Sequence, residues 1–318
     1  MNKPIQTITA VAILFTVSLS SKTQVQAQTE QPGVKVMTFN VLHGGTRLGQ
    51  PLAQTAKVIQ EAKADIVGLQ EVGNNVVKLA QLLGWNYVSH GSSAIVTRYQ
   101  IIEHHPSGIK VQLSSDQQAY IFNLHLKPAP YQPYQLLRIP YGNARFIKTE
   151  AEAIASAKEA RGGQIEAALE SIRALPDKKA VVFVTGDFNE PSHLDWTDAA
   201  ARSGRHPIKV MFPGSLEMAK AGFADAWRTI YPDEIKKPGF TWTPLTKVND
   251  PKDHHDRIDF VYFRGKAIKL NDVKIVGENQ VRADIVIDPY PSDHRAVVAT
   301  FTFSNDAKIK HQGANKSK

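Results

Sequence analysis

The stretch FVTGDFNEPS, residues 183–192, carries the strongest structural signal in this sequence. Apolar and β-branched residues up to Thr185 are typical of a buried strand, and the Gly-Asp-Phe-Asn that follows is typical of a turn. Sheet-based enzymes assemble their sites from side chains at strand ends. The stretch therefore predicts that Asp187 and Asn189 lie at a sheet edge, although a single loop Asp more often only caps a turn.

Polar residues also mark the ends of other predicted strands. Asn40, Glu71 and His125 each follow or close an apolar run. DRID, residues 256–259, opens a strand, and SDH, residues 292–294, precedes the last one. A buried strand has no structural need to end repeatedly in carboxylates, amides and imidazoles. We therefore interpret these residues together as one constellation that carries chemistry.

Strands and helices alternate along the chain. The predicted strands are residues 34–40, 65–70, 93–97, 120–126, 180–185, 257–263 and 295–303. The predicted helices are residues 52–63, 74–83 and 146–175, the last with a kink at Gly162-Gly163. This organisation favours one large α/β domain over two smaller ones.

Residues 128–141 hold four prolines and three tyrosines. We expect this segment to border the functional surface and to influence substrate choice, although a rigid crossover that covers a sheet edge is the plainer interpretation. The basic residues expected to assist it are Lys127, Arg138, Arg202, Arg205 and Lys209.

The first residues predict an export signal. Lys3 supplies the positive end, residues 8–19 form an apolar run, and Val-Gln-Ala at residues 25–27 is a small-residue cleavage pattern. The apolar run is shorter than the roughly 20 residues that span a bilayer. We therefore expect residues 1–27 to be a signal peptide cleaved near Ala27, and the mature protein to be secreted or periplasmic without stable membrane association.

The excess of positive charge lies mostly outside the predicted domain. The sequence has 38 Lys and Arg against 30 Asp and Glu, a formal net charge of +8. Six of the basic residues and one acidic residue fall in the signal segment and in residues 306–318, which we predict to be a disordered basic tail. The predicted domain, residues 28–305, therefore has a net charge of only +3, which is weak support for binding long DNA. The sequence contains no cysteine, which excludes disulfides and thiolate metal sites.

The order of these polar groups resembles the endonuclease/exonuclease/phosphatase superfamily, the DNase I-like enzymes, in the form of a secreted bacterial-type member. The motifs that carry the resemblance are MTFNVLHGG (37–45), ADIVGLQEV (64–72), SAIVTRYQI (93–101), IFNLHL (121–126), FVTGDFNEPS (183–192), DRIDFVYF (256–263) and PSDHRAVVATF (291–301). Residues 161–164, Arg-Gly-Gly-Gln, resemble a family pattern that opens a helix. The resemblance implies a four-layer α/β/β/α sandwich in which helices flank two mainly antiparallel or mixed sheets.

The resemblance also implies a metal site. Glu71 corresponds to the main ligand of Mg²⁺ or Mn²⁺, with Asn40 and Asp293 beside it. One ion is expected, because Leu42 stands where apurinic endonucleases carry a further acidic residue.

Catalytic roles follow from the same resemblance. Asp187 corresponds to the residue that orients and deprotonates the attacking water, and Asn189 to the amide that holds this water or a phosphate oxygen. His294 would donate to a non-bridging oxygen, with Asp259 as its orienting partner. His125 takes the position of a residue that contacts the phosphate or assists the leaving group.

The implied reaction is metal-dependent attack of water on a phosphate ester, with a diester favoured. Two substrate classes stay open: a nuclease acting on DNA or RNA, and a phosphatase acting on sugar, inositol or lipid phosphates. A non-catalytic binding protein on the same fold is a third alternative, which the presence of Asp187, Glu71 and His294 disfavours. We expect a monomer.

Three other groups receive a structural interpretation. Trp242 and Arg257 are expected in the core, where Arg257 and Asp293 would form a buried pair. His254-His255-Asp256 has metal-binding side chains, but adjacent loop residues point apart, so we do not expect a second metal there.

Overall fold

The computed structural model describes residues 33–303. The predicted signal peptide and the predicted basic tail lie outside the described residues, so export and cleavage stay predictions. Within residues 33–303, no helix is both long and apolar enough to cross a membrane.

The described strands and helices interleave along the chain. The strands are β1 Val34–Asn40, β2 Ile66–Gln70, β3 Asn86–His90, β4 Ser93–Thr97, β5 Gln100–His105, β6 Gly108–Gln112, β7 Gln118–His125, β8 Val182–Asp187, β9 Ala224–Asp225, β10 Asp259–Arg264, β11 Ile268–Gly277, β12 Ile285–Val286 and β13 Ala296–Phe303. The helices are α1 Leu42–Gly45, α2 Leu52–Glu61, α3 Val76–Leu83, α4 Gln132–Leu137, α5 Glu150–Arg173, α6 Asp198–Arg202, α7 Pro213–Lys220 and α8 Ala226–Ile230, with a 3-10 turn at Gly73–Asn75.

Two mixed sheets form the centre of the fold, as predicted. The seven-stranded sheet has the order β12-β11-β13-β1-β2-β4-β3, and the six-stranded sheet has the order β5-β6-β7-β8-β10-β9. Val36, Ile121 and Phe183 belong to the apolar core between the sheets. Helices α2 and α3 cover the outer face of the first sheet, and α5 and α7 cover the second. The four-layer α/β/β/α sandwich is therefore confirmed.

Strand register brings the predicted polar strand ends to one edge. In the first sheet, Asn40 pairs with Gln70 across the parallel strands β1 and β2. In the second sheet, Asp187 of β8 pairs with His125 of β7 on one side and with Asp259 of β10 on the other. The ends of β1, β2, β7, β8 and β10 therefore meet at the same end of the sandwich.

A buried polar network crosses between the sheets just below this end. Nε2 of Gln70 donates to Oδ1 of Asn123 at 2.6 Å, and Oγ1 of Thr185 donates to the same oxygen at 3.1 Å. Asn123 returns two hydrogen bonds to strand carbonyls of the first sheet. Gly68 makes room for this network, because a Cβ there would lie 2.0 Å from Oγ1 of Thr185. The network fixes how the two sheets align, since buried polar groups strongly favour keeping their partners.

Six strands were not predicted from the sequence: β3, β5, β6, β9, β11 and β12. Strands β3 and β5 expose many of their side chains and lie at sheet edges, so they lack the apolar alternation that marks a buried strand. Helix α5 begins at Glu150, behind a capping box at Thr149, and not at residue 146 as predicted. It runs unbroken through Gly162-Gly163, where a kink was expected. Arg161 lies inside the helix, so the expectation that residues 161–164 open a helix was wrong.

Replacing Gly68 with Ala is expected to lower the free energy of unfolding by about 3 kcal/mol, the upper part of the usual range for over-packed cores. The added Cβ would lie 2.0 Å from Thr185 and 2.4 Å from Asn123, inside the polar network. Gly163→Ala is the matched control. It is expected to raise the free energy of unfolding by about 0.5–1 kcal/mol, because no atom lies within 4 Å of a Cβ there. Urea unfolding would measure the free energy of unfolding of both variants. Equal changes in the two variants would contradict the tight packing inferred at Gly68.

Candidate active site

A cleft of ≈ 290 Å³ opens where the strand ends meet. Five of the eight predicted site residues line it: Glu71, Asp187, Asn189, Asp293 and His294. The other three stand beside them and contact them directly, as the hydrogen bonds and ion pairs of Asn40, His125 and Asp259 show. The predicted constellation is thus brought together in space, while the role of each residue stays a prediction.

One amide group joins the two sheets at this cleft. Nδ2 of Asn40 donates to Oε1 of Glu71 at 3.2 Å and to Oδ2 of Asp187 at 3.0 Å. Glu71 follows the first sheet's β2, and Asp187 ends the second sheet's β8. Oδ1 of Asn40 accepts the backbone N–H of Leu42 at 3.1 Å. Asn40 therefore acts here as a donor between two carboxylates. Its Oδ1 uses one of two lone pairs for Leu42, so the other could still ligate a metal and this role stays a prediction.

Glu71 is held as an anion at a strained backbone position. Its φ of 59° is left-handed, a conformation that is costly for a non-glycine residue and that clusters at functional sites. The backbone N–H of His43 donates to Oε2 of Glu71 at 3.0 Å. Burial alone would raise the pKa of Glu71, but the hydrogen bonds from His43 and Asn40 outweigh it and lower the pKa.

Glu71 and Asp293 fit a hard divalent cation. Both carboxylates line the cleft, and Oδ1 of Asp293 is buried with no hydrogen-bond partner. Burial raises the pKa of Asp293, and the nearby negative charge of Glu71 adds to this increase. A cation between them would satisfy the unpaired oxygen and relieve the repulsion, and carboxylate oxygens are the donors that Mg²⁺ and Mn²⁺ prefer.

The GDFN turn is locked by its own side chains. Oδ1 of Asp187 accepts the backbone N–H of Asn189 at 2.8 Å, and its Oδ2 accepts Nδ2 of Asn189 at 3.2 Å. The same Nδ2 donates to the carbonyl of Leu126 at 2.9 Å. Asn189 has a left-handed φ of 47°, which Asn tolerates better than most residues. The turn therefore presents both side chains to the cleft in a fixed orientation.

His294 forms a buried pair with Asp259. Its Nδ1 lies 3.0 Å from Oδ2 of Asp259, and its Nε2 lies 3.8 Å from Oδ2 of Asp187. Burial alone would lower the pKa of His294, but the two carboxylates raise it to about 10. His294 is therefore an imidazolium at neutral pH, with its Nε2 proton directed to the Asp187 side of the cleft.

His125 lies between the carboxylates of the two sheets. Its Nε2 is 3.7 Å from Oδ2 of Asp187 and 3.9 Å from Oε1 of Glu71. The ring is partly buried and is not part of the cleft wall. This position is compatible with a donor close to the phosphate.

Four aromatic residues form a wall of the cleft beside the charged groups. Tyr131, Tyr134, Tyr141 and Trp242 all line the cleft. The rings of Tyr134 and Tyr131 pack edge to face with centroids 4.9 Å apart, and Nε1 of Trp242 donates to Oη of Tyr134 at 3.2 Å. The ring of Trp242 also lies 4.9 Å from that of His294. Trp242 is half-buried and packs against the apolar cluster that contains Tyr131 and Tyr134, so the prediction that it belongs to the core is correct in part. It also lines the cleft, and its backbone pairs with His294 and Asp256.

The segment of residues 128–141 was predicted to border the site, and it supplies the three tyrosines of this wall. It contains helix α4 and is anchored by Arg161, whose side chain is fully buried. The Arg161 guanidinium donates to the carbonyls of Lys127 and Pro130 at 2.9 and 3.1 Å and to Glu190 at 3.2 Å. Arg161 thus ties the aromatic wall to the strand that ends in Asp187.

Arg257 is buried, as predicted, but with different partners. Its guanidinium pairs with Asp195 at 2.8 Å and Asp225 at 2.7 Å, and not with Asp293. The basic residues that were expected to assist substrate choice do not line the cleft. They are Lys127, Arg138, Arg202, Arg205 and Lys209.

Asp259→Asn is expected to lower the pKa of His294, because it removes the closer of the two carboxylates. In the wild type the raised pKa means that the stability from this pair is complete below the unfolded value of 6.5 and is lost as pH rises through about 10. Histidine NMR titration in the presence of a chelator would measure the change. Asp198→Asn, an exposed carboxylate on α6, is the control. An unchanged His294 pKa in Asp259→Asn would contradict the assignment.

Comparisons with known proteins agree with this fold. The family model described as "Endonuclease/Exonuclease/phosphatase family" matches residues 37–294. The protein F14F9.5 of Caenorhabditis elegans is 30% identical over 300 residues, which is 85% of this chain and 92% of the nematode protein.

Two solved structures share the fold at low sequence identity. The endonuclease/exonuclease/phosphatase from Beutenbergia cavernae is 16% identical with a TM-score of 0.55, covering 86% of this chain and 72% of that chain. The D. rerio TDP2 complexed with single strand DNA product is 18% identical with a TM-score of 0.51, covering 85% and 99%. Because similar chains occur in a nematode as well, the similarity does not support the narrower prediction of a secreted bacterial-type member. The chain belongs to the endonuclease/exonuclease/phosphatase family, whose members are hydrolytic phosphoesterases.

Proposed function

We propose that this chain is a divalent-metal-dependent phosphodiesterase of the nuclease type, acting on single-stranded nucleic acid. One observation carries the proposal: the carboxyl groups of Glu71 and Asp187 lie with the imidazolium of His294 in one cleft. Carboxylates beside an imidazolium suit a reaction in which water loses a proton while negative charge grows on phosphate oxygens.

Each side chain has a distinct task in this reaction. Asp187 would accept a proton from water while the water oxygen bonds to phosphorus, and the amide of Asn189 would hold the water or a phosphate oxygen. Nε2 of His294 would donate to a non-bridging oxygen as its charge increases. As the ester P–O bond breaks, the leaving oxygen takes up a proton, which His125 would supply directly or through a water molecule, since its Nε2 lies 3.7 Å from Oδ2 of Asp187.

The proposed metal site uses oxygen donors. Glu71 and Asp293 would hold Mg²⁺ or Mn²⁺, with water molecules completing the coordination. When bound, the cation would neutralise charge on the phosphate. Asn40 would keep Glu71 in place through its amide hydrogen bond.

The shape of the cleft favours a single strand over a duplex. Its volume of ≈ 290 Å³ is at the lower end for ligand sites, enough for one nucleotide-sized group. Exposed aromatic rings such as Tyr141 offer a surface on which a nucleobase stacks without regard to sequence. The similarity to a TDP2 structure with single-stranded DNA is consistent with such a substrate. A phosphatase for sugar, inositol or lipid phosphates is the competing function, but its substrates carry no nucleobase that could stack on the aromatic rings.

Asp187→Asn is expected to lower kcat/KM for a bis-aryl phosphate at least about a hundredfold, because general-base catalysis typically contributes about 10²–10⁴. EDTA is expected to abolish activity and added Mg²⁺ or Mn²⁺ to restore it. Asp116→Asn, in a surface loop, is the matched control and should behave like the wild type. Wild-type rates in Asp187→Asn, or full activity in EDTA, would refute the mechanism.

Tyr141→Ala is expected to reduce kcat/KM for a single-stranded oligonucleotide by about 5-fold to 150-fold, the equivalent of the about 1–3 kcal/mol that base stacking contributes. Tyr87→Ala is a close control, since Tyr87 and Tyr141 are both 41% exposed and Tyr87 lies on edge strand β3. Hydrolysis of a methyl aryl phosphate, which has no base, should change little in either variant. Phosphate release from inositol phosphates that exceeds oligonucleotide cleavage would favour the phosphatase instead.

A further inference from the structure

The geometry points to a second metal site, separate from the catalytic cleft, in which His206, His254 and Asp256 bind a transition-metal ion such as Zn²⁺. His206 lies in the loop after α6, and the other two residues lie in the loop before β10. One ligand atom from each residue lies within 4.8 Å of the other two. This site does not depend on the proposed catalytic function.

The distances between the donor atoms suit one shared ion. Nδ1 of His206 is 3.0 Å from Nε2 of His254, and that nitrogen is 3.9 Å from Oδ1 of Asp256. Ligand atoms bound to tetrahedral Zn²⁺ at about 2.0–2.1 Å are roughly 3.4 Å apart. The two distances to His254 lie within about half an ångström of that spacing, whereas His206 and Asp256, whose ligand atoms lie within 4.8 Å of each other, would move closer together around an ion. Imidazole nitrogens with one carboxylate are donors that select Zn²⁺ over Mg²⁺.

Neighbouring side chains hold the ligands in orientation. The Trp196 indole stacks on His206 with centroids 4.1 Å apart and planes 14° apart, and its Nε1 donates to Oδ1 of Asp256 at 2.9 Å. Oη of Tyr131 donates to Oδ2 of Asp256 at 2.7 Å. Hydrogen bonds to a ligating carboxylate are a regular feature of metal sites, because they fix its direction.

The sequence led us to expect no metal at His254-His255-Asp256, because adjacent loop residues point apart. In the structure only His255 points away from the other two side chains. The Nε2 of His255 lies 2.9 Å from Oγ1 of Thr246. His254 and Asp256 are two residues apart, and their side chains point to the same side, since Nε2 of His254 lies 3.9 Å from Oδ1 of Asp256. His206, from a distant part of the sequence, completes the set.

An ion has a route to the site. A cavity of ≈ 990 Å³ is lined by both His206 and His254, while Asp256 is buried behind them. Water from this cavity would supply a fourth ligand. The competing interpretation is that the two imidazoles, both neutral, share one N–H···N hydrogen bond, which their 3.0 Å separation also permits. That pair would need no ion.

Zinc retention distinguishes these interpretations. The full-length protein is stripped with a chelator, incubated with Zn²⁺, desalted and analysed for bound zinc by atomic emission. We expect one more equivalent of zinc in the wild type than in His254→Gln and in His206→Gln. Two control variants should keep this equivalent of zinc. They are Glu71→Gln, which removes the main proposed ligand in the cleft, and His104→Gln, which replaces a histidine on edge strand β5.

A second measurement, the cobalt absorption spectrum, does not require substitutions in the histidine cluster, so it stands even if the cluster variants fail to fold. Co²⁺ added to the stripped wild type and to Glu71→Gln should give the visible absorption of tetrahedral cobalt with nitrogen ligands, and Zn²⁺ should displace it. No retained zinc and no cobalt spectrum in the wild type would establish the hydrogen-bonded pair and overturn the proposal. Zinc lost in Glu71→Gln but kept in His254→Gln would overturn it as well.

Discussion

The arrangement of the cleft depends on the hydrogen bonds that one amide group donates to two carboxylates. Nδ2 of Asn40 lies between Glu71 of the first sheet and Asp187 of the second. Two carboxylates this close together repel each other, and a buried carboxylate without a donor is costly. A neutral amide offers each of them a proton without adding charge. The separation of the sheets at this end is therefore coupled to the separation of these two carboxylates.

The rest of the sandwich makes that separation rigid. The buried network around Asn123 aligns the sheets from inside, and Gly68 leaves the space that the network needs. On the other side of the cleft, the wholly buried Arg161 ties the segment of residues 128–141 to Glu190, next to the GDFN turn. The charged groups and the aromatic wall are thus both attached to the packed core of the sandwich. Buried hydrogen bonds therefore fix their relative position.

Two donor sets of different chemistry lie close to each other in this fold. Glu71 and Asp293 offer oxygens suited to Mg²⁺, whereas His206 and His254 offer nitrogens suited to Zn²⁺. Tyr131 connects them, because its hydroxyl donates to Asp256 while its ring lines the cleft. An ion at the proposed histidine site would therefore stiffen the aromatic wall without entering the reaction.

The sequence by itself determined an α/β domain, the seven buried strands and the residues at their polar ends, because apolar runs that stop at polar residues are local features. The four-layer sandwich was implied by the family resemblance of its motifs. It also indicated that residues 128–141 border the cleft. Only the tertiary structure decided that Trp242 faces His294 and that His206 meets His254, since these contacts join distant segments through packing that no local pattern records. Exposed edge strands such as β5 likewise became visible only from their pairing in the sheet. The side chains of such a strand are largely exposed, so its sequence does not show the alternation of apolar residues that predicts a strand.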